Sequence, residues 1–385
     1  MNSNKPFNGT RLRDAREVRK LSITELANIT GITKQSISYY EKGKQVPRID
    51  AMSVLANVLS VPISFFFKST PQPSNQPIFF RSRKGLSQKE WTRAEIKLSW
   101  FEEVLYYLTD LINFVPPNIP DQFDVSNRLA SVTREEIEEI AITCRKYWGL
   151  GLGPISNLTR LMENNGVIII RMPLDVKEED AFSQWQMKNT IPVSVMVASK
   201  PSACRDRFSL AHELGHIILH RNVCVDDSTL DVIEEQANQF ASSFLLPAES
   251  YLREFKYPTL NSLKILKDRW KVSIKAQIYR CKELNAKSNV TARNLYMNMG
   301  KRGWTKIEPL DDIIHFEEPV VISKAVNLLE EHAAISLFDI SAKLEMAEDD
   351  VASLCGIKRQ DPAQENISPT IKKKPAKVSY FSSKS

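Results

Sequence analysis

Residues 212–216 read His-Glu-Leu-Gly-His. Side chains four residues apart share one face of a helix, so His212 and His216 can hold a single metal ion between them. Glu213 stands one position along, where it can take a proton from an activated water instead of binding the metal. The chain has five histidines, and three of them, His212, His216 and His220, fall within nine consecutive residues. A bare five-residue match arises by chance, and its weight comes from its surroundings. Arg205 to Ala211 has helical spacing of apolar residues without Gly or Pro, and Ile217, Ile218 and Leu219 continue the pattern. The spacing predicts a mostly buried helix.

Two histidines do not close the site. A catalytic zinc takes three protein ligands and leaves a fourth position for water. The next expected helix, Leu230 to Leu246, offers Glu234, with Glu235 and Cys224 as alternatives. His220 shares the face but lies about 6 Å beyond His216 along the axis, so it is expected to pack against the site or support a ligand. Asn238, one turn after Glu234, is expected to hold a ligand histidine in one tautomer. The oxyanion stabiliser is not legible; Arg207, upstream of His212 on the same helix, is the nearest candidate.

At 385 residues the chain has room for two or three domains, with an apolar fraction of 42% and a charged fraction of 25% that are ordinary for a globular protein. No apolar run is long enough to cross a membrane, and the N-terminus lacks a secretory signal. The five cysteines, at 144, 204, 224, 281 and 355, are scattered and odd in number, which suits a reducing cytoplasm. Residues 1–68 hold 11 basic and 5 acidic side chains, while the remainder holds 41 of each. The net charge of +6 therefore belongs to the first module, which suggests a phosphate-rich partner.

That module, residues 1–68, reads as compact and all-helical. Ser22 and Thr33 are placed as N-caps, and Gly31 and Gly43 as helix ends. A short second helix, a glycine turn and a third helix form a helix-turn-helix pattern. Leu26-Ala27, Gly31-Ile32-Thr33, Ile37-Ser38, Glu41-Lys42-Gly43-Lys44 and Pro47 make the segment resemble the XRE family, the five-helix phage-repressor type. The resemblance implies a double-stranded DNA operator, with the third helix in the major groove. Lys34, Gln35, Ser36, Ser38 and Tyr39 are then candidates for base or phosphate contacts; Gln suits adenine and Lys suits guanine. Lys44 and Arg11 are expected to meet phosphates, which set affinity and not sequence. Ile23 stands where that family usually carries a phosphate-binding glutamine. Readers of this type generally engage two half-sites, so a homodimer is expected.

Residues 69–77 read as a Pro- and Ser-rich linker that frees the reader to move. A long helix is expected from about Lys89 to Phe114, another from Arg134 to Trp148 and a third from Ile155 to Asn164. The glycines at 149–153 lack the Lys-Ser/Thr of a phosphate loop. Strand signals follow at 166–171, 181–185 and 192–198, and Val193 to Val197 is nominated as an edge where a substrate could add a strand. Residues 301–358 are expected to be a helical region, with a faint second helix-turn-helix pattern at 335–354. Residues 359–385 are expected to be a disordered tail.

The segment from Ile78 to about residue 300 resembles the ImmA/IrrE family of metallopeptidases. The marks are Asp180-Ala181-Phe182-Ser183, Arg207-Phe208, Ala211 to His216, Leu219-His220, Glu234 to Ala241 and Phe244-Leu245-Leu246-Pro247. The resemblance implies an α+β, mostly helical chain: a zincin-like domain with a small sheet, placed between the reader and a C-terminal helical region. It also implies zinc held by His212, His216 and Glu234, with Glu213 as general base. Several members of the family cleave a helix-turn-helix repressor, so the implied function is a cytoplasmic regulator whose endopeptidase acts on such a protein or on itself. The other reading is a transcription factor in which a silent peptidase-like domain senses a metal or ligand.

Overall fold

The computed structural model of the chain describes residues 6–69, 79–80, 87–119, 121–171, 180–186, 191–197, 202–223, 228–285 and 288–357. The expected linker beyond residue 69, Cys224 and the expected tail lie outside the described residues.

Local chemistry defines the first helices, α1 (Gly9–Val18), α2 (Ile23–Thr30), α3 (Lys34–Glu41) and α4 (Ile49–Leu59). Ser22 Oγ accepts the Glu25 N–H at 3.1 Å while Glu25 accepts the Ser22 N–H at 2.7 Å, a reciprocal cap at the start of α2. Gly31 ends α2 with φ +71°, a conformation that costs glycine little. Thr33 Oγ1 then accepts the Ser36 N–H at 3.1 Å and starts α3. The fifth element is a 3₁₀ helix, Ile63–Phe67, which turns Phe65 and Phe66 into the core.

This helical unit does not stand apart. Its core residues Leu12, Ala15, Leu26, Ile37 and Phe65 run without a break into α5 (Gln88–Leu111), where Trp100, Phe101 and Val104 are buried. The same cluster takes in Ile322, Val326, Ile340 and Val351 from α14 (Val321–Ala333), α15 (Leu337–Leu344) and α16 (Glu348–Leu354). Phe65 meets Trp100 edge-on at 5.3 Å between ring centroids. Arg19 pairs with Asp350 at 2.8 Å.

The expected phosphate contact at Arg11 is overturned here. Arg11 is 1% exposed, pairs with Glu103 at 2.7 Å, donates to the Ser69 carbonyl at 2.6 Å and lies over the Phe65 ring. It sits beside Leu12 and Ala15 on the inward face of α1, so its charge is spent inside the protein. Lys68 joins the same carboxylate and the Leu344 carbonyl, and burial pulls its ammonium below the usual lysine range. The reader is therefore docked on the body, contrary to the freely moving unit expected from the linker composition.

The sheet has the order β1-β3-β4-β2, from β1 (Phe79–Phe80), β2 (Ile168–Arg171), β3 (Asp180–Gln186) and β4 (Ile191–Val197). β3 pairs antiparallel with both β1 and β4, and β2 pairs parallel with β4. The Val193–Val197 edge is thus corrected: this segment is interior, with ladders on both sides and Val193 fully buried.

The helices α6 (Arg134–Tyr147), α7 (Leu158–Asn164), α8 (Ala203–Leu219), α9 (Leu230–Leu245), α10 (Ala248–Glu254), α11 (Leu260–Trp270), α12 (Ile274–Glu283) and α13 (Asn289–Lys301) share a second hydrophobic core with Ile169 of β2. Beyond α13, buried carboxylates strap residues 302–320 across the start of α8. Glu308 pairs with Lys267 at 2.9 Å and accepts the Ile274 N–H at 2.7 Å. Asp311 pairs with Lys267 at 2.7 Å and accepts from Ser202 Oγ at 3.1 Å. Glu317 pairs with Arg207 and accepts the Thr159 N–H at 2.9 Å.

Glu103 carries the docking of the reader, since Arg11 and Lys68 both converge on it. Glu103→Ala leaves two largely buried cations without their carboxylate and should cost about 3–5 kcal/mol. The expected result is a clearly lower melting temperature; an unchanged one would show that the contact contributes nothing.

Candidate metal centre and nucleic-acid interface

α8 is buried on nearly every side, by Leu210, Ala211, Leu214, Ile217 and Ile218 together with the polar His212, Glu213 and His216. Such a helix must satisfy its polar groups from its neighbours, because water cannot. α9 supplies most of the partners. The two helices touch at Gly215, where an added Cβ would come within 3.1 Å of Ala237 Cα, 3.2 Å of the Ala237 carbonyl oxygen and 3.3 Å of Phe240 Cβ.

This approach brings two imidazole nitrogens of α8 and the carboxylate of Glu234 on α9 together. His212 Nε2 and His216 Nε2 are 3.0 Å apart, and the Glu234 oxygens lie 3.3 Å from each. Among the described residues this is the group of His, Cys, Asp or Glu side chains able to hold one ion. Burial alone would raise the Glu234 carboxyl, but the hydrogen bonds and charges of the two histidines outweigh it and bring it down to about 2. Glu235 points elsewhere, pairing with Arg134 at 3.0 Å while its side chain is 46% exposed.

Behind the donor atoms, His212 Nδ1 meets Asn238 Oδ1 at 3.0 Å. His216 Nδ1 meets His220 Nδ1 at 3.0 Å, and His220 Nε2 meets Gln236 Oε1 at 2.9 Å. Burial, and then the neighbouring His216, hold His220 well below the ordinary imidazole range, so its ring is neutral. Gln236 went unread in the sequence. Its signal is a polar residue beside Ile233, Ala237 and Phe240 on a helix that also buries Gln239, Ser242 and Ser243. Arg207 is held by Glu317 and by the Ile155 carbonyl at 2.8 Å, which removes it as an oxyanion stabiliser.

In the N-terminal unit, Ile37 and Tyr40 anchor α3 inward while Lys34 and Gln35 are exposed and Ser36 and Ser38 are half-buried. Gln35 Nε2 donates to Tyr39 Oη at 3.0 Å, and the exposed Lys44 ammonium lies 5.9 Å from the Tyr39 ring centroid. One outward face thus gathers amide, hydroxyl and ammonium groups, the kinds that meet base edges and phosphates. Arg11 is the one candidate missing from it.

The missing Cβ of Gly215 lets α8 and α9 approach this closely. Gly215→Ala gains about 1 kcal/mol of helix propensity, yet its methyl would have to push backbone apart, at about 1–3 kcal/mol. We expect a lower melting temperature and weaker metal uptake, checked by calorimetry and by titration with zinc; a stabilised variant with unchanged uptake would contradict the tight contact.

Comparison with known proteins agrees with both halves of this description. A model of the helix-turn-helix family matches residues 12–66, and one of the IrrE N-terminal-like domain, Peptidase_M78, matches residues 162–282. An uncharacterized HTH-type transcriptional regulator of Sinorhizobium medicae (strain WSM419) is 36% identical over 63 residues, 16% of this chain and 45% of the relative. The SPbeta prophage-derived uncharacterized HTH-type transcriptional regulator YonR of Bacillus subtilis (strain 168) is 36% identical over 62 residues, 16% of this chain and 57% of the relative. The chain spans about half the length of these curated relatives. With the helix-turn-helix on one side and the His-Glu-Leu-Gly-His helix on the other, the chain joins a segment similar to the helix-turn-helix family to one similar to the IrrE N-terminal-like domain.

Proposed function

We propose that this protein is a DNA-binding transcriptional regulator whose second domain is a zinc-dependent endopeptidase, acting on a repressor-type protein or on the chain itself. The observation that carries the reading is the meeting of His212 Nε2 and His216 Nε2, 3.0 Å apart, with the Glu234 carboxylate, whose Oε2 lies 3.3 Å from the first and Oε1 3.3 Å from the second. Tetrahedral zinc with ligands at 2.0–2.2 Å sets neighbouring donors about 3.3 Å apart, so the residues fit the ion. Two imidazoles and one carboxylate are also a donor set that suits catalytic zinc, with the fourth position left to water. Bound zinc supplies Lewis acidity, polarising a scissile carbonyl and lowering the pKa of a water to about 7.

The chain's own residues do the rest. Glu213, fully buried beside His212, is the base that accepts the proton of the attacking water and delivers it to the leaving amine. Asn238 keeps the His212 ring hydrogen on Nδ1, so Nε2 faces the site. The reader contributes location: Lys34, Gln35, Ser36, Ser38 and Tyr39 meet the major groove and Lys44 a phosphate, with two copies on two half-sites. No helix among the described residues is long and apolar enough to cross a membrane. The continuous core between reader and body favours a second reading, in which the metal domain shifts the DNA-binding helix without cutting anything.

New protein N-termini in host cells expressing wild type or Glu213→Gln separate the two. Fragments appearing only with wild type are expected, and equal N-termini under several stresses would leave the sensor reading. The purified Glu213→Gln variant should keep its metal, whereas His216→Ala should lose it; retained metal in His216→Ala would sink the ligand assignment. On the DNA side, Gln35→Ala should weaken operator binding by about 1–3 kcal/mol and relax specificity at one base pair. Uniform weakening across sequences in a binding-site selection would instead make it a phosphate contact.

A further inference from the structure

The faint second helix-turn-helix pattern is, in three dimensions, a repeat of the first. Ser336 Oγ accepts the Asp339 N–H at 3.2 Å while Asp339 accepts the Ser336 N–H at 2.9 Å, the same reciprocal cap that Ser22 and Glu25 make before α2. Glu345 ends α15 with φ +52°, as Gly31 ends α2. Buried Leu26, Ala27, Ile37 and Tyr40 of α2 and α3 become buried Ile340, Ser341, Val351 and Leu354 of α15 and α16, all at one offset along the chain. At that offset Lys34, Gln35 and Ser36 become Glu348, Asp349 and Asp350. Carboxylates in the first turn repel phosphates, so this repeat keeps the motif without the chemistry of a DNA contact.

α16 faces the body instead. Asp350 pairs with Arg19 at 2.8 Å. The turns that follow form one wall of a cavity of about 430 Å³, whose other walls come from α14 and from β2, an outer strand of the sheet. That volume falls among those of small-molecule sites, roughly 300–1,000 Å³. Ile170, Ile322, Ala352, Leu354 and Ile357 give the cavity apolar sides. Its charged groups among the described residues are Arg171, Glu318 and Asp349. Arg171 is committed, since it donates to Asp206 at 2.6 Å and its Nε lies 3.2 Å from Glu318. The walls thus carry one more carboxylate than cations, and an entering anion meets like charge.

We propose that this cavity binds a small apolar ring compound that is neutral or bears an amine, its rings against Ile322 and Ala352 and any amine towards Asp349. None of its described walls comes from α3, α8 or α9, so the site stands apart from the metal centre and from the DNA reading. α16 is the partition between the site and the reader: Ser353 and Leu354 line both this cavity and a small void beside Val18 and Trp100.

The neutral dye N-phenyl-1-naphthylamine and its sulfonated relative 8-anilino-1-naphthalenesulfonate share one ring skeleton and differ in charge. With the full-length protein, the neutral dye should show saturable fluorescence enhancement and raise the melting temperature. The sulfonate should bind at least about tenfold more weakly. Ser353→Trp, at the exposed rim, and Ala352→Trp, in the wall, should each abolish binding of the neutral dye. Asp349→Lys should raise the affinity for the sulfonate. A neutral dye that fails to bind wild type saturably, or that binds Ser353→Trp as tightly, overturns the proposal. Equal affinity of wild type for the two dyes overturns the ligand class and the proposal with it. If Ala352→Trp does not fold, Ser353→Trp still decides.

Discussion

Everything at the candidate metal centre depends on how closely α8 and α9 approach at Gly215 and Ala237. Two histidines on one helix can face a common point, but a carboxylate from a second helix reaches that point only if the axes are near. A glycine facing an alanine makes the interface thin there, and Phe240 and Phe244 then fill the volume on the next turns of α9. Closing that interface also buries polar rings, which must be satisfied within the protein. Asn238 and Gln236 meet that demand from α9, and Gln236 is itself tied to the Leu129 carbonyl. One packing decision therefore places Glu234, orients His212 and His216 and dries the site.

A second constraint holds the outer parts in place. Buried carboxylates on the segment after α13 bind Lys267, Arg207 and the start of α12, while Glu163 accepts the Val320 and Val321 N–H groups at 2.7 and 2.9 Å. These contacts carry the chain from the peptidase domain to α14, which packs near β2 and joins the core shared with the reader. α3 and α8 are therefore linked through packed side chains as well as through the chain.

The charge of the first module also has a different meaning in three dimensions. Its basic excess pointed to a phosphate-rich partner. Yet Arg11, Arg16, Arg19 and Lys68 spend their charges on Glu103, Glu41 and Asp350 inside the protein. The outward charge comes from fewer residues, among them Lys34 and Lys44. Counting charges locates a basic module; it does not say which of them face a ligand, because an arginine on a helix reads alike whether its guanidinium turns out or in.

Local chemistry is what the sequence by itself determined. Helical spacing paired His212 with His216, Ser22 as an N-cap and the Gly31 turn marked the two helices of the reader, and buried runs marked the strands. These features depend on residues within about one turn of one another, so they are written in the order of the chain. Tertiary structure decided the rest. Glu234 and Glu235 are adjacent and chemically alike, and only the rotation of α9 against α8 turns one inward and gives the other to Arg134. The segment Ile191–Val197 reads the same at an edge or in the middle of a sheet, because alternation along a strand carries no information about its neighbours. Arg11 turned inward because Glu103, 92 residues away in the chain, came to lie beside it.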